Sequence, residues 1–262
     1  MKKLLFIAIA ALGMFACTEQ NGLNSQVAKN GALPGKFSVS ANKQVQFSQG
    51  NVQYQASTNT WRFAENQYDA VGVSNADVSP VNDGWIDLFG WGTGNNPTLS
   101  SVEEQDYPIF VDWGINKISN GGNRANMWRT LTKDEWVYLF ESRANAALLF
   151  GLGSVNGVRG VIILPDNWLK SHRGIVNTNN FSDNSYTIEE WSAMESANAV
   201  FLPACGFRYE VDVHKSDYGF YWSATRDTET TANVLYFCLN GFDPQSYGSL
   251  ARGFSVRLVR NY

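Results

Sequence analysis

Trp128-Arg129-Thr130-Leu131-Thr132-Lys133-Asp134-Glu135-Trp136 contains a complete helix start, and the fold class turns on it. Thr132 and Glu135 stand three residues apart. The Thr hydroxyl can therefore accept from the Glu135 amide while the Glu carboxylate reaches back to the Thr amide, the reciprocal arrangement of a capping box. Trp136, Leu139, Phe140 and Arg143 follow at helical spacing, which predicts a helix over about 133–143 with one apolar face and a polar end. Thr187-Ile188-Glu189-Glu190 repeats the device ahead of Trp191, Met194 and Ala197, and predicts a second helix over about 187–198. Trp136 and Trp191 are expected to anchor these helices in the core. Capping boxes are common, so the shared T-x-x-E-W does not establish an internal repeat.

Outward from the two helices the pattern changes to period two, the signature of half-buried strands. Phe37 and Val39 alternate with Ser, then come Val45 and Phe47, Val52 and Tyr54, and Trp61 and Phe63, with turns at Ala41–Lys43 and Gln49–Asn51. Gly160–Leu164 and Ala199–Leu202 read as strands beside the helices. The last part of the chain supplies Phe220–Ser223, Val234–Phe237 and Phe254–Val259, separated by polar segments expected to be loops, Ala224–Asn233 and Asn240–Arg252. Tyr221 and Trp222 should alternate, one buried and one facing out, and Arg257 and Arg260 should lie on different faces. Two long irregular stretches, Val73–Pro108 and Asp166–Tyr186, are rich in Asn, Asp, Gly and Trp. Strands interleaved with two helices and long loops predict an α+β domain over residues 35–262.

Three segments resemble a known group. Trp128–Trp136 is similar to the W-R-x-L/P-T-x-x-E-W segment of many exported Bacteroidota proteins. Gly219–Thr225 resembles their G-x-Y-W-S-S-T strand, and Gly253–Arg260 their terminal G-x-S-V-R-L-V-R strand. The resemblance implies the C-type-lectin-like fold, in the branch of formylglycine-generating enzymes and Fibrobacter-type major paralogous domains. It spans about 128–260. Activity does not follow from it, because one fold hosts many functions.

The first sixteen residues look like an export signal. Lys2 and Lys3 precede an apolar run from Leu4 to Phe15, and Ala16 places a small residue before Cys17. Such a run is too short to span a bilayer. The Ala16-Cys17 junction resembles the lipobox of bacterial lipoproteins, which implies that Cys17 is lipidated. An ordinary signal peptide, with Cys17 incidental, is the alternative. Thr18–Pro34 is polar and aperiodic, so residues 17–34 read as a lipidated flexible tether. The expected location is the cell envelope, lipid-anchored at the outer membrane. Loss of Lys2 and Lys3 takes the formal net charge from −4 to −6. An acidic chain without a basic run offers no purchase on phosphate backbones, so no nucleic-acid partner is expected.

Cys205 and Cys238 remain. In an oxidising compartment two cysteines are read first as a disulfide, and the alternative is two separate buried thiols. A formylglycine-generating enzyme needs a close reactive cysteine pair, whereas these two fall in separate segments. That departure reads the chain as non-enzymatic. The calcium-binding E-P-N and Q-P-D tripeptides of sugar-binding lectins are absent, and Glu103–Asp106 reads as a solvated acidic loop. His172 and His214 stand alone, without a zinc-binding pair. No metal and no cofactor are therefore expected. What remains is a module that recognises a protein or glycan, or else a polysaccharide-binding accessory of a degradative system or a subunit of a surface assembly. By the resemblance, terminal-meander loops form an exposed end. This singles out Asn240, Phe242, Asp243, Gln245 and Tyr247 as candidate ligand-binding residues, whose amides, carboxylate and rings can donate, accept and stack. Phe242 and Tyr247 could instead fold inward and pack the loop.

The Ala16-Cys17 junction makes a direct prediction. Cys17→Ala releases the protein from the membrane fraction, and labelled palmitate enters the wild-type chain but not the variant. A wild-type chain that takes up no palmitate excludes the lipid anchor.

Overall fold

The computed structural model describes residues 30–168, 174–215 and 217–262. In chain order the strands are β1 (Phe37–Ser40), β2 (Lys43–Phe47), β3 (Val52–Gln55), β4 (Thr60–Phe63), β5 (Trp85–Ile86), β6 (Phe150–Val155), β7 (Val158–Ile163) and β8 (Ser185–Tyr186). They continue with β9 (Val200–Pro203), β10 (Phe207–Tyr209), β11 (Asp212–His214), β12 (Gly219–Arg226), β13 (Thr231–Cys238), β14 (Gly241–Ser249) and β15 (Val259–Asn261). The helices are α1 (Lys133–Val137) and α2 (Ile188–Ser196). The strands form five small sheets, ordered β1-β2-β15, β4-β3-β5, β8-β6-β7-β9, β10-β11 and β12-β13-β14.

This overturns the expected α+β, C-type-lectin-like architecture. The chain is mostly β, with 36% strand, two short helices, several small sheets and no closed barrel among the described residues. The physical cause is visible in the first helix. Both capping boxes form, with Thr132 Oγ1 accepting from the Glu135 amide at 3.2 Å and Thr187 Oγ1 from the Glu190 amide at 3.2 Å. Yet α1 lasts five residues, passes into a π-helical turn at Tyr138–Ser142, and stops at Arg143 in extended conformation. Arg143 is not the polar end of a helix. Its guanidinium is buried and donates to the carbonyls of Leu164 at 2.9 Å and Leu149 at 3.2 Å, with Asp166 at 3.2 Å. Satisfying a buried guanidinium outweighs another turn of helix.

Trp136 and Trp191 do enter the core. Trp136 stacks on Phe140 at 6.0 Å, and Trp191 meets Phe201 edge-on at 5.6 Å. Tyr221 and Trp222, by contrast, are both buried, at 0% and 1% exposure. β12 lies between two apolar clusters, with Tyr221 in the one around Trp136 and Trp222 in the one around Trp113. A strand covered on both faces loses the inside–outside alternation. The expected tether also ends early, since Ala32 and Leu33 are fully buried and Leu33 donates to the Phe47 carbonyl at 2.9 Å.

The terminal segment joins these pieces. Only β15 runs as a ladder, pairing Val259 with Phe47. Before it, each residue takes a different partner. Gly253 bridges Arg208, Phe254 bridges Phe89, Ser255 bridges Tyr221, and the carbonyls of Val256 and Leu258 accept from Val52 and Ser48. The Arg257 guanidinium, 1% exposed, donates to Gln67 Oε1 at 2.8 Å and to the Phe201 carbonyl at 3.3 Å. Burial pushes its pKa down to about 10.

Trp136→Ala and Trp191→Ala should each lower stability by about 3–5 kcal/mol in a denaturant melt, as for other buried aromatics. A loss below about 1 kcal/mol at both positions is incompatible with these side chains carrying the core.

Candidate functional site

The segment expected to be a binding loop is a strand. β13 and β14 form a hairpin in which Cys238 pairs with Gly241, so the turn is Leu239-Asn240. Asn240 takes the left-handed φ of 65° that Asn tolerates well. Its amide donates to the Asn179 carbonyl at 2.9 Å, which brings the 174–184 segment against the turn. β14 is an edge strand, interrupted by a register shift opposite Val234–Tyr236 and by the buried Pro244, two devices that blunt an edge.

The five candidate ligand residues accordingly do not form one group. Phe242 points inward, with its ring 4.8 Å from Phe140 and 4.7 Å from Phe150. It is a packing residue. Asp243 lies directly across from Tyr236, so the two share a face of the sheet, and its carboxylate accepts from the Gln245 amide at 3.0 Å. Gln245 is exposed in the irregular part of the strand. Tyr247 is 68% exposed and pairs with Asn233, farther along the hairpin. Only Asn240 and Asp243 fall near the concave end of this sheet.

Apart from Cys238, that end is built by residues the sequence did not single out. An open hollow of about 580 Å³ is lined by Lys215, Asp217, Tyr218, Cys238 and Leu239. Tyr218, 43% exposed, stacks on Tyr236 at 6.2 Å and 21°, and Tyr236 lies 5.0 Å from Phe220. Tyr218 stands just before β12, two residues ahead of Phe220, which pairs with Tyr236 of β13. Phe220 in turn stacks on Phe254 at 4.6 Å, which fixes the platform to the core. Arg159, from β7, forms an ion pair with Asp217 at the rim. The side-chain amides of Asn179 and Asn240 make no hydrogen bond within the described residues, so their donors and acceptors face solvent. The local signal was Asn240, which takes the left-handed position of the two-residue turn.

Cys205 and Cys238 are free thiols, which corrects the expected disulfide. They belong to different parts of the fold. Cys205 follows β9 in the interior, with Asn51 Nδ2 at 3.7 Å, and burial pushes its thiol far above the usual range. Cys238 ends β13 at the hollow, where it accepts from the Tyr236 hydroxyl at 3.0 Å and contacts the Leu239 carbonyl at 3.3 Å. Cys17, residues 1–16, most of the tether and His172 lie outside the described residues. Among the described residues no group of three or more His, Cys, Asp or Glu side chains could hold a metal ion. No described helix is long and apolar enough to cross a membrane.

Comparison of the chain with protein-family models, with curated proteins and with solved structures gives no match. The geometry therefore carries the functional argument by itself.

The two thiols should separate cleanly by reactivity. In the unreduced native protein a maleimide labels Cys238 and leaves Cys205 untouched until denaturant is added. Failure of both to react after denaturation without reductant means that they are bridged after all.

Proposed function

We propose that this protein is a non-enzymatic, lipid-anchored module of the cell envelope that binds glycan through the hollow beside the Leu239-Asn240 turn. The observation that carries the proposal is the exposed Tyr218 ring, held against Tyr236 and flanked by the Arg159–Asp217 ion pair. The C–H faces of a pyranose ring are apolar and its edges carry hydroxyls. A stacked tyrosine takes the face, while a guanidinium, a carboxylate and uncommitted amides take the hydroxyls. The hollow lies between the β11–β12 connection and the end of β13, and its tyrosine is held by ring contacts to the sheet. Seven of the nine tryptophans are buried and unavailable for sugar stacking, which leaves the tyrosines of this sheet as the exposed platform. Formal charge argues against a polyanionic partner, since the exported chain carries −6.

A glycan array identifies the ligand, and Tyr218→Ala tests the site. The variant should lose at least tenfold in affinity, about 1.4 kcal/mol, with little change in melting temperature. Unaltered affinity moves the site elsewhere. Binding to intact cells without any binding to glycans assigns the surface to a protein partner.

A further inference from the structure

We infer that the protein carries a second small-molecule site at the opposite end of β12, shaped for one neutral sugar or polyol ring. It is independent of the tyrosine platform. β12 runs eight residues from Gly219 to Arg226, so its two ends lie about 25 Å apart at the usual rise of a strand. At the Arg226 end, a cavity of about 250 Å³ is formed between the 91–99 and 106–111 segments. That volume lies just below the range of drug-sized pockets, which suits a single ring rather than a chain.

The cavity is preformed. Gly94 donates to the Val111 carbonyl at 3.0 Å, Val111 to the Gly92 carbonyl at 3.0 Å, and Trp91 to the Leu250 carbonyl at 3.0 Å. Gly92 adopts a φ of 68°, and a Cβ on Gly94 would sit 2.3 Å from the Asp112 carbonyl, so neither wall tolerates a side chain at those points. Arg226 clamps the rim. Its guanidinium donates to the carbonyls of Pro108 at 2.7 Å and Thr228 at 2.8 Å and lies 5.6 Å above the Trp91 ring. With these donors spent on backbone, Arg226 is a strut and not an anion receptor.

The lining divides by chemistry. Trp91, Tyr107 and Leu99 give the apolar side. Asn95, Asn96 and Asp106 give the polar side, and their side chains make no hydrogen bond within the described residues. Several amides in the interior of the fold are by contrast spent on the protein itself: Asn51, Asn75, Asn116, Asn120 and Asn184 each bond to protein partners. Two exposed, uncommitted amides and a carboxylate at the mouth of this cavity supply acceptors and donors for hydroxyls. Asp106 is the one carboxylate of the lining, which holds no basic side chain, and burial keeps the Tyr107 phenol neutral, so a neutral ligand is favoured over an anionic one.

The test is an NMR titration of the purified ¹⁵N-labelled protein with the methyl glycosides of glucose, galactose, mannose and N-acetylglucosamine, with myo-inositol, and with methyl glucuronide. At least one neutral probe should shift the Asn95 and Asn96 side-chain amide resonances saturably. The double variant Asn95→Ala/Asn96→Ala should weaken it at least tenfold without changing the melting temperature, while Tyr218→Ala leaves it unaffected. The glucuronide should bind more weakly than the glucoside, and Asp106→Asn should narrow that gap. No shift from any probe, wild-type affinity in the double variant, or loss of the shifts in Tyr218→Ala overturns the second site. Preference for the glucuronide overturns its assignment to neutral ligands.

Discussion

The buried guanidinium of Arg257 is the constraint around which the described structure is arranged. A cation at 1% exposure needs acceptors, yet among the described residues it forms no ion pair with a carboxylate and its Nε has no hydrogen-bond partner. The β9 carbonyl of Phe201 and the Gln67 side chain meet it instead, and Gln67 in turn donates to Glu195 at 2.8 Å and accepts from the Phe201 amide at 2.8 Å. One arginine thereby ties the terminal segment, the β4–β5 connection, β9 and the end of α2 into a single polar knot. Asn51 extends it, donating to the Tyr221 hydroxyl at 3.0 Å, which itself donates to the Pro203 carbonyl at 2.9 Å. Burial raises the Glu195 carboxyl above the ordinary range, and the Gln67 hydrogen bond and the field of Arg257 oppose that rise.

The same economy organises the irregular parts. Between Val71 and Leu88 little regular structure forms, yet the backbone there is not left unsatisfied. Asn75 Oδ1 accepts from the amides of Asp87 at 2.8 Å and Leu88 at 2.9 Å, while its Nδ2 donates to Asp87 Oδ1 at 2.8 Å. Desolvation pushes Asp87 up to about 6. Asn184 does similar work for the 176–184 segment, donating to the carbonyls of Leu152 at 2.7 Å and Val176 at 2.8 Å. Amides that read as loop formers in the sequence therefore serve as internal cross-links in place of ladders and helices.

Legibility follows from locality. Both helix starts are visible in the sequence because a capping box is closed by residues three apart. The core role of Trp136 and Trp191 follows from the same few positions. Arg129 was quoted only as part of a motif, yet the structure explains it: its guanidinium donates to both oxygens of Glu135, at 2.6 Å and 2.9 Å, and Lys43 adds a third donor at 2.8 Å. Burial alone would raise the Glu135 carboxyl, but these partners hold it below the ordinary range. What escaped notice is set by distant partners. Nothing near Arg143 announces the Leu164 carbonyl, and nothing near Tyr221 announces that a second cluster covers its other face. The hollow escaped for the same reason, since its wall joins the β11–β12 connection to the end of β13 and its turn. The Leu239-Asn240 turn was the local clue to it, and it was overlooked among the polar residues that follow.

Gly253–Asn261 has a consequence for the order of events during synthesis. Its partners reach back as far as Val45, Ser48 and Val52, so these contacts join positions roughly two hundred residues apart. Strands made early have no means of completing their surroundings while those last residues are still being made. Until then β2, β3 and β12 each present backbone groups awaiting a partner, and apolar faces awaiting cover. Contacts of such long sequence separation make folding slow, because the entropy of closing the intervening chain must be met first.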